Sequence, residues 1–250
     1  MRWALYLHAL GEALQAAGNM DRAAEVFDLG VQKRLWESRY RRWVTPPPDT
    51  VPSQPWWAQA TTLLAVVALL KQHFPAIRAE AVALWEASLN GLDAFALDAE
   101  RLHGGISNVT GSGPGRWSTY RLLKDGAWDS THLDALPKTA AVLRRVADLQ
   151  HCVHVGCVDL FVQLSVLEPG THIKPHCGPT NRRLRVHLPL VAEPNTCTIR
   201  VADTTHAVEE GRVYVFDDSY EHEVWNAGTS QRLVLIVDVY SPAAPPITPL

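Results

Sequence analysis

The sequence predicts a mainly β protein with added helices: a jelly roll preceded by a helical N-terminal half. Three observations carry this. From Val158 onward, short runs rich in Val, Leu, Ile and Phe are cut by Pro, Gly, Asn and Asp, with no helical segment between them. Residues 3–35 and 58–90 instead place apolar residues at helical spacing. Between these two helical regions, residues 45–55 hold five prolines, a composition that admits no regular element.

Taken in order, residues 3–35 read as a helical hairpin. Leu7, Leu10, Gly11, Leu14, Gly18, Ala23, Phe27 and Gly30 fall on the spacing of one tetratricopeptide repeat, and fit an ordinary amphipathic helix pair equally well. A single repeat cannot bury both faces, so it is expected to dock on the rest of the chain or to end a longer array. Lys33, Arg34, Arg39, Arg41 and Arg42 interleave with Trp36, Tyr40 and Trp43. This pattern is read as a solvated basic face over packed rings rather than a nucleic-acid surface. The organisation expected is thus a hairpin over 1–44, a linker over 45–57 closed by Trp56 and Trp57 as anchors, and a catalytic domain over 58–250.

Within that domain, helices are expected across 58–150. Pro75 divides 58–90 into two segments, residues 104–115 form a Gly-rich loop, and Pro137 opens a helix over 133–149. The jelly roll spans 158–241, with strands at 159–167, 183–190, 197–201, 212–216, 221–225 and 232–240.

Composition narrows the functional classes. With 47% hydrophobic and 20% charged residues and a net charge of −3, the chain is a packed globular protein with no basic field for nucleic acid. Its longest apolar run, Leu63 to Leu70, stops at Lys71 and is too short to span a bilayer. Met1 to Gly11 is broken by His8 and followed by Glu12, so it reads as a folded helix rather than a signal peptide. The default localisation is therefore cytoplasmic. The four cysteines are too few for a disulfide scaffold; Cys152 and Cys157 are close enough to bridge but read as buried thiols.

The chemistry-bearing residues lie in the β half. His176 and His222 are far apart in sequence, but a jelly roll gathers its strands at one mouth, so the two can share a metal. Non-haem iron oxygenases commonly add a carboxylate to two histidines, two residues after the first. Here that position is Gly178. His172 is an alternative ligand, and Asp218 an alternative to water in the third position. Arg232 lies in a run that otherwise reads Leu-Val-Leu-Ile-Val. A charge there is costly unless paired, and a guanidinium suits a dicarboxylate. Arg185 and His187 share a strand face, and Ser165 precedes the His176 loop.

Three stretches resemble the aspartyl/asparaginyl β-hydroxylase family: SVLEPGTHIKPHCGPTNRRLRVH (165–187), EGRVYVFDDSYEHEVW (210–225) and RLVLIVDVY (232–240). A weaker likeness covers the helical repeat, the Pro55-Trp56-Trp57 step and Trp117. The resemblance implies a double-stranded β-helix that uses iron(II), 2-oxoglutarate and O2. It implies His176 and His222 as iron ligands with no carboxylate ligand. Ser165 and Arg232 would grip the distal carboxylate of 2-oxoglutarate, with Arg185 and His187 near its metal-bound end. The implied reaction hydroxylates the β-carbon of Asp or Asn in a peptide or protein, such as an EGF-like domain, and releases succinate and CO2. A 2-oxoglutarate-dependent halogenase, a small-molecule hydroxylase and a non-catalytic metal-binding jelly roll are the rival readings.

Overall fold

A computed structural model describes residues 2–42, 51–57, 64–90, 95–97, 109–110 and 116–244. The expected loop at 104–115 and the start of the 58–90 segment lie largely outside them. The chain opens with helices α1 (Arg2–Ala16) and α2 (Met20–Gln32), then α3 (Leu64–Gln72) and α4 (Phe74–Leu89). Four strands follow: β1 (Ala96–Leu97), β2 (Val109–Thr110), β3 (Trp117–Lys124) and β4 (Ala127–Trp128). Next come α5 (Ser130–Asp134), α6 (Pro137–Leu143) and α7 (Ala147–Val155). The remaining strands are β5 (Val162–Leu167), β6 (Thr171–His176), β7 (Arg183–Val191), β8 (Cys197–Val201), β9 (Thr204–Ala207), β10 (Tyr214–Phe216), β11 (His222–Asn226) and β12 (Arg232–Tyr240).

The single helix expected over 133–149 is three. Pro137 can only start a helix, and α6 ends at Arg144 before Val146 caps α7 in an extended conformation. Strands β1, β2, β3, β4, β6 and β9 are additions to the strands expected from the sequence, and the first four lie in the 58–150 region where helices were expected. α1 and α2 approach closely because Gly11 lacks a side chain: an added Cβ would lie 2.0 Å from Phe27, and one at Gly30 would lie 2.0 Å from Trp36, which packs back on α2 from the segment that follows it. Ala4, Leu7, Ala23, Phe27 and Trp36 form the hairpin's own small core.

Strands β5–β12 divide between two antiparallel sheets, in the orders β5-β12-β7-β10 and β6-β11-β8-β9. Apart from the β8–β9 pair, successive strands wrap from one sheet to the other, the arrangement of a jelly roll. The first sheet continues through β3 and β1, and the second through β2. The two-residue period of a strand then sorts the side chains. On β5, β7 and β12, Leu164, Val166, Leu184, Val186, Leu188, Leu233, Leu235 and Val237 face the helices and build the main core with Leu70, Ile77 and Leu149. Their neighbours Ser165, Arg183, Arg185, His187, Arg232 and Asp238 face inward, toward the second sheet. A continuous apolar run such as Leu233–Val237 is what burial on both faces requires.

Two expectations are corrected. Cys152 and Cys157 are not separate thiols but a disulfide, with Cα atoms 4.9 Å apart. Gly156 ends α7 in the left-handed conformation (φ 64°), which folds the chain back so that Cys157 N–H donates to the Cys152 carbonyl. Nor is the basic stretch after α2 uniformly solvated. Arg41 and Arg42 are each 3% exposed and paired with Asp217 and Glu221. Residues 51–57 run as a strap along β10: Asp217 N–H donates to the Pro55 carbonyl and Trp57 N–H to that of Val215. Trp56 packs against Phe216 and Trp57 against the main core, as anchors should.

Candidate metal and dicarboxylate site

The site grows out of one register. β6 and β11 pair antiparallel with His176 opposite His222. Their ring centroids lie 4.1 Å apart. Each ring is oriented by its own backbone. His176 Nδ1–H donates to the Lys174 carbonyl at 2.8 Å, and His222 Nδ1–H to the Tyr220 carbonyl at 2.9 Å. That tautomer leaves both Nε2 atoms as lone-pair donors, the state a metal needs. Burial depresses both pKa values, for His222 well below the ordinary range with His176 as a further cause. Neutral imidazoles therefore face each other before any metal arrives.

A cavity of about 290 Å³ runs from these rings between the sheets, lined among others by Trp117, Ser165, Arg185, His187 and Arg232. Arg232 is part of that lining. It is 2% exposed, and its Nε and Nη2 meet no acceptor among the described residues. Ser165 sits opposite Val234 on the neighbouring strand, and its Oγ accepts a 3.0 Å bond from Trp117 Nε1. His187 is buried with Nε2 also unmatched among the described residues, and burial together with Arg232 and Arg185 holds its pKa well below normal. Buried polar atoms are rarely left without partners. A guanidinium, a hydroxyl and an imidazole converging on a cavity match a small dicarboxylate that also reaches a metal.

Near the histidines the cavity wall is ionic. Arg185 Nε donates to Asp238 at 3.0 Å and its Nη2 contacts Asp218 at 2.9 Å; Arg183 Nη2 also donates to Asp218 at 2.9 Å. Burial alone would raise the Asp218 pKa, but the two guanidiniums outweigh it and hold Asp218 far below the usual carboxylate range. Asp238, more dominated by burial, is raised. Two arginines and two carboxylates thus form a closed cluster beside the histidines.

Gly178 explains the missing carboxylate ligand sterically. A Cβ there would meet the Asp218 carboxylate at 2.6 Å. Asp218 occupies the space a side chain at 178 would take, and its oxygens are committed to Arg183 and Arg185. Among the described residues no three His, Cys, Asp or Glu side chains form a metal-sized group. His172 is turned away, bonded to Glu223 at 2.9 Å and stacked on Trp225. Glu221 and Glu223 point to that outer face too, as strand alternation requires.

All six sequence-predicted residues, His176, His222, Ser165, Arg185, His187 and Arg232, line one cavity. Sequence reasoning missed Arg183 and Asp238. Arg183 shares a face with Arg185 and His187, and that spacing was a usable signal. Asp238 lies 53 residues from Arg185, and nothing local announces the pairing. Trp117 is a cavity wall, and its Nε1–H donates to Ser165 Oγ.

The sequence profile of the family described as aspartyl/asparaginyl beta-hydroxylase matches residues 71–242, and the chain belongs to that family. It is 35% identical over 242 residues to mouse aspartyl/asparaginyl beta-hydroxylase, covering 96% of this chain and 30% of the relative. The chain therefore spans about a third of the length of that relative. An ornithine lipid ester-linked acyl 2-hydroxylase from Rhizobium tropici is 32% identical over 212 residues, covering 83% of this chain and 65% of that protein. A prolyl-4-hydroxylase structure from Pseudomonas putida aligns over 71% of this chain and 98% of its own, with TM-score 0.41 and 21% identity.

Proposed function

We propose that this chain is an iron(II)/2-oxoglutarate-dependent dioxygenase that hydroxylates the β-carbon of Asp or Asn in a peptide or protein, with an EGF-like domain as a candidate substrate. The observation that carries the proposal is a single cavity lined both by two neutral histidines and by Arg232, whose Nε and Nη2 find no acceptor among the described residues. Iron(II) with 2-oxoglutarate and O2 supplies an oxidant for an unactivated C–H bond as 2-oxoglutarate is cleaved to succinate and CO2.

The protein's part is to bind and orient. His176 and His222 present Nε2 lone pairs whose direction the Lys174 and Tyr220 carbonyls set. Arg232 offers Nε–H and Nη2–H to the distal carboxylate, and Trp117 directs Ser165 Oγ toward the same group. His187 and Arg185 lie nearer the metal-bound end, with Arg185 braced by Asp218 and Asp238. Asp218 accepts bonds from both arginines, so its oxygens would not be free to serve as a third ligand, and solvent would fill the remaining positions on a metal held by the two histidines. Phe161, Leu160, Ile173 and Val224 supply apolar wall that limits water. We also assign the double-stranded β-helix, a tetratricopeptide-like hairpin over 1–44, a linker over 45–57 and a catalytic unit over 58–250 to this reading.

Incubation with iron(II), 2-oxoglutarate, ascorbate and Asp- or Asn-containing cyclic peptides tests it: a 16 Da gain coupled to succinate is expected. The similarity to an acyl hydroxylase favours a second reading, in which the hydroxylated group is an acyl chain. Acyl lipids in a parallel incubation distinguish the two, and chlorination in chloride buffer would replace both.

A further inference from the structure

We propose that residues Tyr40–Arg42, contributed by the N-terminal helical unit, are a positioning strut for the two-histidine site; the proposal rests on reading His176 and His222 as metal ligands. Both histidines are terminal residues of their strands: β6 ends at His176 and β11 begins at His222. The ladder between them is irregular at this point, with a register shift between His222 and Val224. His222 is also paired to Val201 of β8, whereas among the described residues His176 is paired through β11 alone.

Further support for the chain around both histidines comes from about 180 residues upstream. The Tyr40 carbonyl accepts from Glu221 N–H at 2.5 Å and from Cys177 Sγ at 3.8 Å. Cys177 directly follows His176, and Glu221 directly precedes His222. One backbone carbonyl thus ties together the neighbours of both ligands. Arg42 Nη1 bonds Glu221 Oε2 at 2.7 Å while its guanidinium lies 3.7 Å over the Phe27 ring, inside the hairpin core. Gln15 of α1 reaches the same carboxylate at 3.0 Å. Arg41 bonds Asp217 at 3.1 Å and Ser219 at 3.2 Å, and its guanidinium covers the Tyr220 ring at 4.2 Å. Every residue from 217 to 221 except Asp218 is held by the 40–42 segment.

Asp218 is held from the opposite side by Arg183 and Arg185. The short loop before His222 is therefore clamped between Arg41 and Arg42 on one side and the jelly roll's arginines on the other, with Arg183 and Arg185 on Asp218 and Arg200 on Glu221 at 2.8 Å. A ligand's affinity for metal depends on such outer partners, and removing one costs about 10- to 100-fold. Arg232 and Ser165 stand on β12 and β5, in the sheet opposite the one that carries both histidines. The dicarboxylate end is thus built independently of the strut.

The test uses the full chain and titrates cobalt(II) anaerobically, read by its visible absorption. Arg42→Ala is expected to weaken cobalt binding about 10- to 100-fold. At saturating metal, 2-oxoglutarate affinity should stay within about twofold, because the outer support removed acts on the metal ligands. Arg42→Lys should recover part of the loss. Glu221→Gln keeps the side-chain size and carries the same expectation where Arg42→Ala does not fold. Arg78→Ala, which breaks an exposed pair with Glu210, is the control with wild-type binding. Wild-type cobalt affinity in Arg42→Ala and Glu221→Gln overturns the strut. So does a parallel fall of metal and 2-oxoglutarate affinity, the mark of general loosening. Cobalt binding that survives both His176→Ala and His222→Ala overturns the site reading itself.

Discussion

Replacing Arg232 with Met should move stability and co-substrate affinity in opposite directions. Arg232 is almost fully buried, and its Nε and Nη2 lack acceptors among the described residues. Burial pulls its pKa down to about 10, which still leaves it charged at neutral pH. An uncompensated buried charge costs the ligand-free fold; exchanging buried ions for apolar groups of similar size commonly stabilises by about 1–4 kcal/mol. At roughly 2–4 °C per kcal/mol for a chain of this size, the ligand-free Tm of Arg232→Met should rise by several degrees. Binding should suffer instead. Two charge-assisted bonds at about 1.5–3 kcal/mol each sum to about 3–6 kcal/mol, so the KM for 2-oxoglutarate should rise about 10²- to 10⁴-fold. Scanning fluorimetry with and without 2-oxoglutarate, alongside succinate release, reads both effects. A lower ligand-free Tm with an unchanged KM would refute the assignment of Arg232 to the distal carboxylate.

Other expectations follow from the same geometry. Gly178→Asp should not restore a third ligand: its Cβ would collide with Asp218 at 2.6 Å, so iron content should fall, as metal analysis can show. In the metal-free protein, His176, His187 and His222 have folded pKa values lowered by burial. The unfolded chain then binds more protons, and their contribution is complete above about 6.5 and lost as pH falls toward the folded values. A metal-free Tm that declines from pH 7 to 5 is expected, and a flat profile would count against buried neutral histidines. Reducing Cys152–Cys157 removes a small loop constraint worth about 2 kcal/mol, so Cys152→Ser should lower Tm by roughly 4–8 °C.

How much of this was legible in the sequence varies by element. The apolar strands around 162–167, 183–191 and 232–240 announce themselves because both faces are buried. β6 does not: Lys174 and Pro175 interrupt Thr171–His176, and its outward residues are half-exposed. It therefore reads as a loop, although it carries His176. β3 is equally hidden, since Arg121 and Lys124 break its apolar pattern. The site residues were recoverable because Arg232 and His187 are conspicuous polar residues in apolar runs. The supporting charges were not. Arg41 and Arg42 look like a solvated basic stretch until the fold brings them to Asp217 and Glu221. A disulfide across five positions is similarly opaque, because continuing the helix would have turned Cys157 away by about 140°; Gly156 reverses that.

Iron stoichiometry tests the central claim most directly. Wild-type protein and the His176→Ala and His222→Ala variants would be loaded anaerobically with iron(II), desalted and analysed for metal per chain, with circular dichroism to check folding. The geometry predicts one iron per wild-type chain and little in either folded variant. One iron per chain retained by either variant would contradict a site built on these two histidines.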